Sequence, residues 1–195
     1  REEVDYLKSK LEVPYELVEE LIAWRKANPI PANPKVSVCV ATYNRPKLLT
    51  ERCIASVLGQ TYKNLELIVV GDGAGEETVQ AVARIRDPRL TFVNLTERGL
   101  YPEDPELRWM VAGTAPAVRA LEMASGDFIT HLDDDDAYEP GRLEALVDFA
   151  SETGSDFVWH PFWFQDARER WFLNEASTFA RGQVTSSSTF YRSWF

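Results

Sequence analysis

The sequence predicts an α/β sandwich with a mostly parallel central sheet, and three observations lead there. Short, β-branched apolar runs, "KVSVCVA", "LELIVV", "LTFVNL" and "FITHL", alternate with helical patterns over residues 35–132. Each run is almost continuously apolar, as parallel strands buried on both faces are. From Phe157 the texture changes to strand-like segments, "FVWHPFWF", "RWFLNE" and "QVTSSSTFYR", which read as antiparallel additions.

Taken in order, residues 14–28 put Leu17, Leu21 and Trp24 on one helical face, with Pro14 suited to the first turn and Lys26 to the last. "REEVDYLKSKL" reads as a further helical turn or two. Pro29, Pro31 and Pro34 then break the pattern into a linker. The expected organisation is an N-terminal helical extension with a Pro-rich linker over 1–34, and the α/β domain over 35–195. The apolar stripe of the extension is expected to pack on that domain or to mediate self-association, because an exposed stripe is an association surface. Within the domain, helices are expected from Pro46 to Gly59, through Val79, Val82 and Ile85, up to Ala124, and from Pro140.

Bulk composition narrows the function classes. A chain of 195 residues fits one domain of ordinary size plus its extension. A net charge of −10 argues against nucleic acid or an anionic membrane surface as partner, since both call for clustered Lys and Arg. Cys39 and Cys53 lie in apolar patterns, which predicts core thiols, no disulfide framework and a reducing, cytoplasmic setting. No apolar stretch approaches the ~20 residues a transmembrane helix needs, and there is no signal-peptide core. The sequence has no initiator Met and stops at "YRSWF" within a strand-like pattern, so a piece of something longer is expected.

Open α/β sheets bind ligands beyond the carboxyl ends of their strands. Three polar signals fall there: "ATYNRP", "GDGAGEE" and the aspartates of "LDDDDAYEP". The glycines do not make a dinucleotide fingerprint, because Glu76 stands where the third glycine belongs. Asp72 in that loop suits a hydrogen bond from a ribose or a base N–H, and a plain strand-to-helix turn is the simpler alternative. Asp133–Asp136 do not form an EF-hand, since the sixth loop position is Tyr138 rather than Gly. Zinc is disfavoured, because His131 and His160 are far apart and His131 reads as a packed strand residue. All-oxygen ligands suit Mg²⁺ or Mn²⁺. Extended alternation would send Asp133 and Asp135 one way, and Asp134 and Asp136 the other. A solvated acidic turn, stabilised by the dipole of the helix from Pro140, is the remaining alternative.

The segments "VSVCVATYNRPKLLTERCIASVLGQTYKNLELIVVGDG", "RDPRLTFV" and "ALEMASGDFITHLDDDDAYEPGRLE" together resemble the family 2 glycosyltransferases of the GT-A fold, from about Lys35 to the end. The resemblance implies metal-dependent, inverting transfer of a sugar from a nucleotide-sugar donor, UDP being favoured, to a hydroxyl of a carbohydrate, glycolipid or other acceptor, as in polysaccharide biosynthesis. It implies that Ala41, Tyr43 and Asn44 lie along the donor nucleotide and that Asp72 contacts the base. Asp133 and Asp135 match the two aspartates of the DXD motif. Asp135 and Asp133 are then the metal ligands for Mn²⁺ or Mg²⁺, with Asp133 and Asp134 also on the nucleotide. The family's acidic general base is expected beyond Phe195, so the alternative is a donor-binding module without turnover. Membrane association is expected only through an acceptor or a missing segment.

The chain departs from the family at several points. Gly71 and Ala74 lack side chains common there, and Ala117 and Val118 stand where an Arg-Asn pair is frequent, which leaves Arg108 or Arg119 as the expected substitute. A nucleotidyltransferase would need a glycine-rich basic loop that "ATYNRP" lacks. "VWHPFWF" is expected in the core, with stacking on acceptor sugars as the alternative.

Overall fold

The computed structural model describes residues 15–180 and 182–195. The chain divides into two compact units after Pro31. In the first, helix α1 spans Tyr15–Ala27, with Arg25 and Lys26 in its last turn, where cations oppose the helix dipole. Asn28 closes it: its backbone N–H and side-chain Nδ2 both donate to the Trp24 carbonyl, at 2.8 and 2.9 Å. Leu17 and Ile22 stay exposed. The helical turns expected ahead of Pro14 lie outside the described residues.

The second unit runs β1 (Val36–Thr42), helix α2 in three contiguous segments (Pro46–Leu48, Leu49–Ile54 and Ala55–Leu58), β2 (Leu65–Gly71), α3 (Glu76–Ala83), β3 (Leu90–Asn94), α4 (Pro105–Val111), α5 (Thr114–Met123) and β4 (Phe128–His131). It continues with α6 (Arg142–Thr153), β5 (Phe157–Trp159), β6 (Phe162–Gln165), β7 (Trp171–Asn174), a 3-10 turn (Ser186–Ser188) and β8 (Thr189–Arg192). The middle of α2 is π-helical. Among the described residues no helix is long and apolar enough to cross a membrane.

Six strands form one sheet in the order β3-β2-β1-β4-β8-β5. Pairs β1–β2, β1–β4 and β2–β3 are parallel, while β8 runs antiparallel to both β4 and β5. The expected mostly parallel sheet is therefore present. The continuous apolar strands have helices on both sides. On one face Cys39, Ile68, Val70 and Ile129 pack with Ala120 and Met123 of α5. Pleating turns Val36, Val38, Val40, Leu67, Val69 and Phe128 to the other face, where all are fully buried. The buried stripes of α2 (Leu49, Cys53, Val57) and α6 (Leu143, Leu146, Val147, Ala150) supply its cover. Each such Val, Leu or Phe side chain contributes roughly 1.5–3 kcal/mol of transfer free energy. Burial holds the Cys39 thiol at about 12, and that of Cys53 is raised further, so both are inert core groups.

Gln60, fully buried, links these two helices. Its Nε2 donates to the Glu139 carbonyl at 2.8 Å and its Oε1 accepts from Leu143 N–H at 3.0 Å, which fixes the start of α6 just beyond the aspartates.

The C-terminal segments are antiparallel as expected, but the expected core placement of "VWHPFWF" fails. β6 and β7 pair only with each other, as a separate two-stranded sheet. Trp163, Phe164, Trp171 and Phe172 stay exposed on it, so "VWHPFWF" is not simply core. Within it Val158 is buried, and the preceding Phe157 stacks on Tyr191. A two-residue strand-to-strand gap after β5, carrying Pro161, turns the chain out of the main sheet.

Candidate donor site

The sheet order reverses between β1 and β4, and three loops converge beyond that point. The loop after β1 is tied to the loop after β2 by Asn44, which adopts φ 49°, a left-handed conformation that Asn tolerates. Its Oδ1 accepts from Gly75 N–H at 2.6 Å. Asn44 thus holds one loop on the other and does not line the cleft, although the resemblance placed it along the nucleotide.

Asp72 follows β2 and is only 2% exposed. Its Oδ1 accepts from Gly99 N–H at 2.8 Å and its Oδ2 from the Tyr101 hydroxyl at 2.7 Å, with Arg98 Nε at 3.8 Å. Gly73, at φ 63°, allows this approach, since a Cβ there would lie 2.7 Å from Arg98 N. Asp72 therefore anchors the loop after β3 as well as facing the cleft. The Arg98 guanidinium sits 3.8 Å above the Tyr43 ring, on the surface expected to receive the base.

Alternation does not describe the aspartates. β4 ends at His131 and the chain turns, Asp136 N–H donating to the Asp133 carbonyl at 3.0 Å. Asp134 and Asp135 consequently both meet Arg45. Asp134 is 8% exposed and accepts from Thr42 Oγ1 at 2.7 Å, Tyr43 N–H at 3.4 Å and Arg45 Nη1 at 3.2 Å. Asp133 opens on the cleft, and burial together with its three neighbouring carboxylates raises it to about 6. Burial also raises Asp134 and Asp136.

Asp133, Asp134 and Asp135 share one cavity of about 460 Å³ with Ala41, Tyr43 and Asp72. These six of the residues that the sequence singled out line the cavity. Trp109 of α4 stands at the rim, 78% exposed, and Arg45 and Arg98 supply the basic side chains. Sequence reading passed over these three, because lone residues in loops and in a seven-residue helix carry no pattern. Arg108 and Arg119 do not substitute for the missing pair: Arg108 donates to the Pro102 and Glu103 carbonyls and Arg119 pairs with Glu122. A second cavity of about 320 Å³ opens between Ala117, His131 and Asp133, where Ala117 leaves room. Gly71 and Ala74 are compensated locally. Asn94 Oδ1 accepts from Ala74 N–H at 2.8 Å and its Nδ2 donates back to the Ala74 carbonyl at 2.9 Å.

A buried scaffold underlies the acidic turn. Arg142 lies 3.9 Å over the Tyr138 ring and donates to Thr130 Oγ1, the Ser187 carbonyl and His160 Nε2 at 3.0, 2.9 and 3.0 Å. Ser187 Oγ in turn accepts from Asp133 N–H at 3.3 Å. A guanidinium can only donate, so His160 is the neutral tautomer, its Nδ1–H donating to the Pro161 carbonyl at 2.7 Å. Burial, with the Arg142 charge, pushes His160 from 6.5 down to about 4. The depressed value means that the unfolded chain binds the proton more readily. This stabilisation is full above pH 6.5 and is lost as pH falls towards 4, by on the order of 2 kcal/mol. His160→Gln should therefore show a smaller loss of unfolding free energy than wild type between pH 7 and 4.5 in urea titrations. Parallel curves for the two proteins would contradict the neutral-histidine assignment.

The family model "Glycosyl transferase family 2" matches residues 37–102 and 113–190. The chain belongs to glycosyl transferase family 2. The gap between the two matched stretches contains α4 and Trp109. Among curated family 2 relatives, the chain is 36% identical over 122 residues to the GalNAc(5)-diNAcBac-PP-undecaprenol beta-1,3-glucosyltransferase of Campylobacter jejuni, covering 61% of this chain and 35% of that protein. It is 35% identical over 115 residues to the glucosyl-dolichyl phosphate glucuronosyltransferase of Haloferax volcanii, covering 58% and 33%. The chain thus spans about a third of the length of these relatives. Its fold is similar to S. aureus TarS 1-349 in complex with UDP-GlcNAc, with a TM-score of 0.64, 24% identity, and 82% of this chain and 45% of that chain covered. It is similar also to the mannosyltransferase PcManGT of Pyrobaculum calidifontis in complex with GDP-Man and Mn²⁺ (TM-score 0.58, 22% identity, 88% and 51% covered). These likenesses establish the GT-A architecture.

Proposed function

We propose that this domain binds the nucleotide-sugar donor of a metal-assisted, inverting glycosyltransferase that acts on an acceptor hydroxyl. The observation carrying this reading is the convergence of Tyr43, Asp72 and Asp133–Asp135 on one cavity at the switch point of the sheet. In it, Tyr43 and Ala41 flank the nucleoside, Asp72 holds the base-side loop, and Asp134 braces the turn through Thr42. Among the described residues no three His, Cys, Asp or Glu side chains gather closely enough to hold a metal by themselves. That fits Mg²⁺ or Mn²⁺, which take one or two carboxylates and complete their shell with water and phosphate. The turn also already attracts a positive group, Arg45, onto Asp134 and Asp135. Asp135, with Asp133, would hold the ion. When bound, such an ion supplies Lewis-acid stabilisation to a departing nucleoside diphosphate. The protein's contribution is to orient the donor and to keep the acidic turn in register through Arg142 and Ser187.

Donor binding without turnover is the second reading. Both readings require the donor site. A thermal-shift panel of UDP, GDP, dTDP and CDP, with and without Mn²⁺, tests it. One nucleotide at a hundredfold its Kd should raise Tm by about 5–10 °C with Mn²⁺ and by much less in EDTA. No shift with any nucleotide in either condition would remove the proposal.

A further inference from the structure

Arg45 occupies a conflicting position. Its backbone is fixed at the start of α2, where it precedes Pro46 and its carbonyl accepts from Leu49 N–H at 3.0 Å, while its side chain is 50% exposed. A single nitrogen, Nη1, donates to Asp134 Oδ1 at 3.2 Å and to Asp135 Oδ2. The two carboxylates differ in exposure and in partners. Asp134, 10% exposed in its side chain, is pinned by Thr42 and Tyr43, whereas Asp135 is 44% exposed and has Arg45 as its ion-pair partner. The group that holds Asp135 is therefore itself half in solvent, on a backbone fixed at the start of α2.

We infer that Arg45 is a displaceable counter-ion that gates cation binding at Asp135. It rests on the reading of Asp135 as a metal ligand. Before the donor arrives, Arg45 neutralises Asp135, and a divalent cation must break that ion pair to gain the carboxylate. A hard cation keeps its waters without phosphate oxygens, so metal alone repays this poorly. A nucleoside diphosphate changes the balance, because it gives the guanidinium fork a new acceptor that matches it well. Release of Asp135 by Arg45 and capture of Asp135 by the cation then occur together. Each ligand tightens the other, by the same factor in both directions. Arg45 is in this sense a positioning residue, which acts on the ion through Asp135.

The test measures Mn²⁺ binding by electron paramagnetic resonance, with and without UDP, in wild type, Arg45→Gln and Arg45→Lys, together with UDP binding in Mn²⁺ and in EDTA by calorimetry. Arg45→Gln should bind Mn²⁺ alone about fivefold more tightly, the size of a part-exposed ion pair, and should show a correspondingly smaller Mn²⁺–UDP coupling factor. Arg45→Lys keeps the charge but not the fork, and should fall between the two. Equal Mn²⁺ affinity and equal coupling in wild type and a folded Arg45→Gln overturn the gating role while leaving the metal reading intact. Absence of any Mn²⁺–UDP coupling in wild type overturns the metal reading, and the gate with it. A melting curve in EDTA for each variant verifies folding, and Arg45→Lys carries the test if Arg45→Gln does not fold.

Discussion

In Asp135→Asn, Mn²⁺ ceases to tighten nucleoside diphosphate binding. The neutral amide offers a poorer ligand to a hard cation, and a wild-type coupling of tenfold or more, ~1.4 kcal/mol, should fall close to unity. Stability should hardly change. The Arg45–Asp135 ion pair that is lost is half exposed, and such pairs are worth about 0–1 kcal/mol, which relief of repulsion among neighbouring carboxylates offsets. Asp134→Asn provides the contrast. That side chain is buried and accepts from Thr42, Tyr43 and Arg45, so the change should cost about 1–3 kcal/mol of unfolding free energy before any ligand is added. Calorimetric titration of UDP with Mn²⁺ and with EDTA measures the coupling, and urea unfolding measures the stability. Undiminished coupling in Asp135→Asn would show that Asp135 is not a metal ligand.

Phe190→Ala should cost about 3–5 kcal/mol, lowering Tm by roughly 6–20 °C. Phe190 and Phe128 are both fully buried, with ring centroids 4.5 Å apart and planes 14° from parallel. Phe190 also lies opposite Thr130 of β4 and Val158 of β5 in the ladder, so the ring sits where three strands meet. Truncation removes a large transfer term and leaves a cavity that the rigid strands cannot close. Trp163→Ala, on the exposed β6–β7 pair, is the control, with an expected change within about 0.5 kcal/mol. Equal losses for the two would mean that the ring stack contributes little to the core.

The parallel half of the sheet was legible because its signal is local: short β-branched runs fall between helical patterns, and each run is buried on both faces. The insertion of β8 between β4 and β5 was not, since Thr130 and Phe190 pair across 60 residues of sequence and no local pattern encodes that. In the site, motif positions located Ala41, Tyr43, Asp72 and Asp133–Asp135 on the cleft, but not what each side chain does there. Asp72 was read only as a loop carboxylate suited to a ribose or a base N–H. It is instead buried with both oxygens bonded, so Asp72→Ala would also release the Gly99–Tyr101 loop. The facing of Asp134 and Asp135 was misread because alternation holds only while the strand lasts. Arg45 and Arg98 escaped notice because a single loop arginine looks the same in sequence whether it is solvated or not.

The place of β8 also bears on how the protein is made. β5 has no neighbour in the sheet until β8 follows it, about 30 residues and, at ~5–20 residues per second, a few seconds of translation later. Throughout that interval β4 presents an unpaired edge to the ribosome's surroundings, and Phe128 lacks the ring that covers it. A nascent chain paused between β5 and β8 would keep that edge open to pairing with another strand. Pairing of β4 and β5 into one sheet therefore waits for β8.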